Sequence, residues 1–176
     1  HITSIYGAML AGVNYVLMGA GIPRQIPGVL DSLSQHLKSR YKLAVENESN
    51  EEETYTEFDP AEVIGLPSAY PLTRPCFVAI IASATLALSL SKKASGYVDG
   101  FVIEYPVAGG HNAPPRGQLQ LTERGEPIYG PKDDVDLERI AAIGRPFWLA
   151  GGYADPSRLA RAMELGATGI QVGSAF

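Results

Sequence analysis

The chain has 176 residues, 45% hydrophobic and 19% charged, which supplies the apolar side chains of one globular domain and excludes a disordered tail or a disulfide mini-protein. Fourteen Lys and Arg against 19 Asp and Glu leave a net charge of -5, which excludes a basic stripe for nucleic acid or for an anionic membrane surface. The single cysteine, Cys76, makes no internal disulfide and no zinc site by itself, so a reducing, cytoplasmic location is expected. The uncharged stretch from Ile2 to Pro23 is interrupted by Thr3, Ser4, Asn14 and several glycines, and reads as helix, turn and strand rather than as a membrane span.

Further along, Ile26, Val29, Leu30, Leu33 and Leu37 recur at helical spacing and predict an amphipathic helix, followed by a strand at Tyr41–Val45. The run ENESNEEETYTE at 46–57 holds six glutamates and no basic residue, and predicts a solvated acidic loop because like charges repel and little apolar surface offsets ordering. It has neither the Gly nor the Asp that shape a hard-cation loop, so no metal is expected there. A strand is predicted at Phe77–Ala82. For the segment after it, Leu86, Leu88 and Leu90 fit period two as well as a helix. The next strand covers Phe101–Glu104, and a helix capped by Asp134 or Asp136 follows, with Leu137, Ile140 and Ala141 inward and Gly144 at its end. Pro146–Ala150 is the next strand. Asp155-Pro156 then opens a helix with Leu159, Ala162 and Met163 on one face and Gly166 as its stop, before a last strand at Ile170–Val172.

Three segments share one grammar: AGVNYVLMGAG at 11–21, SGYVDGFVIEYPVAGG at 95–110 and LGATGIQVGSAF at 165–176. Each has a glycine after a helical pattern, then a short apolar run ending in small residues, as in the αβ half of a βαβ unit. About six strands alternating with helices predict a parallel α/β sheet, open or closed into a barrel. Strand-end turns at Gly151-Gly152 and at Gly173-Ser174, in consecutive units, would lie side by side and could present backbone N–H groups to a phosphate. His111, in VAGGHNAPPRG, follows the end of a central strand, where α/β enzymes place catalytic groups. Gly109 and Gly110 leave room there for a flat ligand. A turn histidine bonded to backbone is the plainer role for His111. No hydrolytic triad, metal-spaced His/Cys cluster or Walker motif is present in the sequence.

AGGH at 108–111, AGGYAD at 150–155 with LARAMELGATGIQVGSAF at 159–176, and VLMGAGIP at 16–23 together resemble the nitronate monooxygenase family, formerly the 2-nitropropane dioxygenases, FMN-dependent TIM barrels. The resemblance implies that Gly151, Gly152, Gly173 and Ser174 hold an FMN phosphate, that Met18, Gly19 and Ser83 line the flavin, and that His111 is the base toward an acidic C–H or a hydrogen-bond donor to an anionic substrate. The flavin would carry electrons from an alkyl nitronate to oxygen. The chain departs from the family by placing Glu104-Tyr105 where a Gln-Gly pair often stands near the flavin, and by lacking a lysine in Ala79-Ile80-Ile81. Two alternatives are an NAD(P)H-dependent enoyl-thioester reductase of fatty-acid or polyketide synthesis on the same flavin barrel, and an inactive fragment or phosphate-binding scaffold. A (β/α)8 barrel takes about 250 residues. The chain is therefore expected to be about six of its eight βα units, with sheet edges that further residues, a partner or a second copy in a homo-oligomer would cover.

Overall fold

The computed structural model describes residues 1–19, 21–43, 53–65, 70–110, 112–173 and 175. Along the chain run α1 (Ile2–Leu10), β1 (Tyr15–Met18), α2 (Ile26–Ser34), β2 (Ser39–Lys42), β3 (Tyr55–Phe58), α3 (Pro60–Ile64) and β4 (Cys76–Ile81). There follow α4 (Ala84–Lys93), β5 (Gly100–Glu104), α5 (Leu137–Ala141), β6 (Phe147–Ala150), α6 (Pro156–Glu164) and β7 (Gly169–Gln171). Five strands form one sheet in the order β1-β4-β5-β6-β7, and β6 pairs in parallel with both β5 and β7. The mixed α/β architecture with a mostly parallel sheet follows the sequence expectation. No helix among the described residues is long and apolar enough to cross a membrane.

Contacts divide the chain into two compact units, His1–Val78 with Lys93–Val98, and Ala79–Lys92 with Asp99–Phe176. In the first, α1 buries Ile2, Ile5, Tyr6 and Met9, and α2 buries Ile26, Val29, Leu30 and Leu33 at the predicted helical spacing. The stripe ends one turn early, since α2 stops at Ser34 and His36 takes a left-handed φ of 57°, which leaves Leu37 exposed. The hydroxyl of Tyr6 meets Nδ1 of His36 at 2.6 Å, which ties α1 to this turn. Ser95 accepts from the N–H of Gly28 at 2.9 Å and donates to the carbonyl of Gln25 at 2.9 Å, closing the start of α2.

One expected sheet strand does not join the sheet. Of the predicted strand at Tyr41–Val45 only Tyr41 and Lys42 fall in a strand, β2, with residues 44 and 45 outside the described residues; β2 pairs antiparallel with β3, Arg40 opposite Glu57 and Tyr41 opposite Thr56. The second strand of this hairpin comes out of the expected acidic loop. Tyr55, Thr56 and Phe58 have the β-branched and aromatic character of a strand, Lys42 pairs with Glu53 at 2.7 Å, and Lys38 pairs with Glu57 at 2.7 Å. The charge that argued for a solvated loop is thus partly neutralised across the hairpin, and the remaining 46–52 lies outside the described residues.

In the second unit, β5 (GFVIE) buries all but its last residue, and Phe101, Ile103, Phe147 and Leu149 form the centre of the core. The ambiguous leucine run after β4 is helical: Ser83 accepts from Leu86 N–H at 3.1 Å and caps α4, which buries Ala84, Ala87 and Leu90 at a three-residue period. Asp136 rather than Asp134 caps α5, accepting from Arg139 N–H at 3.0 Å; Ile140 is buried, while Ala141, expected inward, is exposed on this five-residue helix. α6 opens on Asp155, which accepts from Ser157 N–H at 2.8 Å, with Pro156 in its first turn. Of its predicted inner face only Ala162 is covered, and Leu159 and Met163 are open to solvent.

Candidate functional site

The C-terminal ends of β5, β6 and β7 carry most of the residues singled out in the sequence. The parallel register places Glu104 beside Ala150 and Ala150 beside Gln171, one row across three strands. Residues in register on neighbouring parallel strands project to the same face. Past this row the chain turns at Gly151 and Gly152, whose φ values of 96° and 71° both lie in the left-handed region. A cavity of about 220 Å³ opens here, lined by Glu104, Gly109, Gly151, Gly152, Gln171 and Gly173 among others. At Gly173 no atom lies within 4 Å of where a Cβ would stand, so an added methyl would project into open space.

Two charges flank this cavity: the Glu104 carboxyl lines it, and the guanidinium of Arg158, on the first turn of α6 and outside the lining, donates to the carbonyl of Gly152 beside the glycine turn. In the planar trans peptide that begins with this carbonyl, the N–H of Tyr153 points the opposite way. The side-chain Oε1 of Gln171 is buried without a hydrogen-bond partner among the described residues. A buried polar atom of this kind is costly unless a donor reaches it.

A second cavity of about 150 Å³ shares the Glu104 wall and is lined also by Ser83, Asn112, Arg116, Tyr129 and Asp133. Burial pushes the Glu104 carboxyl above the ordinary carboxylate range. Tyr105, next in the chain, has its hydroxyl pushed up to about 12, chiefly by burial and then by Tyr153, whose ring centroid lies 5.9 Å away. Asn112 donates from Nδ2 to the carbonyls of Pro106 at 2.9 Å and Ala108 at 3.0 Å, which ties the loop after β5 back on itself. Arg116 spans the cavity rim, giving Nη1 to Lys132 O at 2.6 Å and Nη2 to Ala82 O at 2.5 Å.

No family model matches the chain, and no curated protein matches it. The site is therefore read from its own residues. Of those predicted, Gly109, Gly151, Gly152 and Gly173 line the first cavity, Ser83 lines the second, and Glu104 lines both. Gly110 takes a φ of 89° in the same loop and lines neither of these two cavities. Met18 ends β1 in the first unit, half-buried, with Gly19 exposed after it. His111 and Ser174 lie outside the described residues. Gln171, Asn112, Arg116 and Arg158 had not been singled out. Gln171 had a signal, being the one polar side chain in the apolar run GIQV. Among the described residues no three His, Cys, Asp or Glu side chains cluster as metal ligands would.

Proposed function

We propose that the protein is an FMN-dependent oxidoreductase of the nitronate monooxygenase type, its sheet a portion of a (β/α)8 barrel. The observation that supports this most is the convergence of Gly109, Gly151, Gly152, Gly173 and Glu104 on one cavity at the ends of β5, β6 and β7. The glycines come from separate stretches of sequence read as ligand-binding turns, and Glu104 stands where the chain departs from the family it resembles. The donor set also fits the group. Gly173 leaves space that a Cβ would fill, Arg158 supplies a cation beside the turn, and the orphaned Oε1 of Gln171 would accept from a ribityl hydroxyl.

Gly151, Gly152 and Gly173 would hold the phosphate through backbone N–H groups, with Ser174 adding a hydroxyl. His111 would take a proton from the carbon that is to be oxidised, a task suited to an imidazole that titrates near neutrality. FMN supplies the two-electron chemistry that no side chain here can perform. The protein's own contribution would be to hold and orient the group, with Glu104 and Ser83 lining the adjoining cavity.

The test is a flavin titration followed through protein fluorescence. Wild-type chain should bind FMN, and Gly173→Ala should weaken binding at least tenfold while its urea midpoint stays unchanged. Equal affinity in the two proteins, or no binding to either, overturns the assignment. Alkyl nitronates are the first substrates to assay anaerobically. Bleaching of bound flavin by NADPH alone would instead mark the enoyl-thioester reductase.

A further inference from the structure

The second cavity has a chemistry of its own. Because Nδ2 of Asn112 already serves two carbonyl acceptors, the orientation of the amide is settled, and its Oδ1 is left buried with no donor among the described residues. The Glu104 carboxylate lines the same cavity and receives no hydrogen bond or ion pair from a described residue. Ser83 accepts from Leu86 N–H at 3.1 Å, which leaves its own O–H proton to donate.

The charged neighbours are already engaged. Asp133 accepts from the backbone N–H of Arg116 at 2.7 Å and of Gly130 at 2.8 Å. Arg116 is the cation among the cavity's lining residues, and its two terminal nitrogens are taken up by the carbonyls of Lys132 and Ala82. The walls therefore hold two acceptors without a donor among the described residues, one hydroxyl donor, and two carboxylates, Glu104 and Asp133, against the single guanidinium of Arg116. A ligand that completes these bonds must bring N–H or O–H groups, and an anion would add to the charge of Glu104.

We propose that the cavity lined by Ser83, Glu104 and Asn112 binds a small molecule bearing N–H or O–H donors, neutral or positively charged, such as a primary amide or an ammonium head group, and rejects carboxylate-like anions. The inference does not rest on the flavin reading: it assigns a ligand to the second cavity and leaves the nitronate proposed for the flavin site unchanged. The cavity volume of about 150 Å³ holds a head group rather than a drug-sized molecule.

Acetamide, ethylammonium and acetate are close in size and differ in charge and donors, so they serve as probes. Each is titrated into the uniformly labelled chain, with and without FMN, and amide signals of Ser83, Glu104 and Asn112 are followed by NMR. Acetamide and ethylammonium should bind at least tenfold more tightly than acetate. Glu104→Gln should lower the affinity for ethylammonium at least tenfold while changing that for acetamide less than threefold, with the dispersion of its amide spectrum confirming the fold. Acetate binding as tightly as the other two, absence of any shift at these residues, or an unchanged ethylammonium affinity in Glu104→Gln overturns the proposal. A chain that binds acetamide but not FMN would sink the flavin reading and leave this one standing. A chain that binds FMN and prefers acetate would do the reverse.

Discussion

Replacing Gly151 by Ala separates two costs that usually arrive together. At a φ of 96° an L residue is strained, which costs about 1–2 kcal/mol. The new Cβ would also lie 3.1 Å from each of three atoms, Ala108 N, Tyr105 Cβ and Tyr105 O. Those atoms cannot easily retreat, because Tyr105 N–H is bonded to Ala150 O at 3.0 Å and Ala108 N–H to Tyr105 O at 2.9 Å. Crowding of this kind costs about 1–3 kcal/mol, for a total of about 2–5 kcal/mol. Gly110→Ala is the control: its φ of 89° carries the same backbone strain, but no atom lies within 4 Å of its Cβ, so only about 1–2 kcal/mol should be lost. Urea unfolding of the two variants and the wild type, compared by midpoint at constant slope, reads the difference directly. If Gly151→Ala proves no less stable than Gly110→Ala, the turn after β6 is not packed against the loop after β5 as described.

Two titrations test the buried groups of the same region. The Glu104 carboxyl is raised by burial, so the folded chain holds a proton there more tightly than the unfolded chain, and its contribution to stability falls as pH rises from the ordinary carboxylate range through the raised value. Glu104→Gln should therefore gain stability relative to wild type across that interval, as measured by urea midpoints against pH, and a parallel pair of curves would contradict the buried placement. The hydroxyl of Tyr105 should titrate at about 12, later than ordinary tyrosines, and should draw stability down as pH climbs from about 10 toward that value. Ultraviolet difference titration of Tyr105→Phe should lack this late step, which the wild type shows.

Local signals made the glycine turns and Glu104 legible in the sequence. Each stands where an apolar run without alternation meets small residues, which marks the end of a buried parallel strand wherever the strand pairs. The caps were legible for the same reason, since Asp136 and Asp155 bond N–H groups two or three residues ahead. What could not be read depends on partners far along the chain. Arg116 reaches the carbonyl of Ala82, 34 residues earlier, and Asn112 matters only because its loop folds back on Pro106 and Ala108. The β2–β3 hairpin was hidden because a run of glutamates says what a segment repels, not which lysines will face it. On α6 the pattern told which side is apolar, but Leu159 and Met163 show that it does not tell what lies over it.

The row Glu104, Ala150, Gln171 has a methyl group at its centre. With strands about 4.8 Å apart, the two polar side chains stand about 10 Å from each other with only that methyl between them. A serine at 150 would set one hydroxyl donor beside two acceptors and could satisfy only one of them, whereas a valine would wall one polar group off from the other. A lineage could thus silence or re-aim this surface by one nucleotide change in a single alanine codon, leaving every polar residue of the site in place.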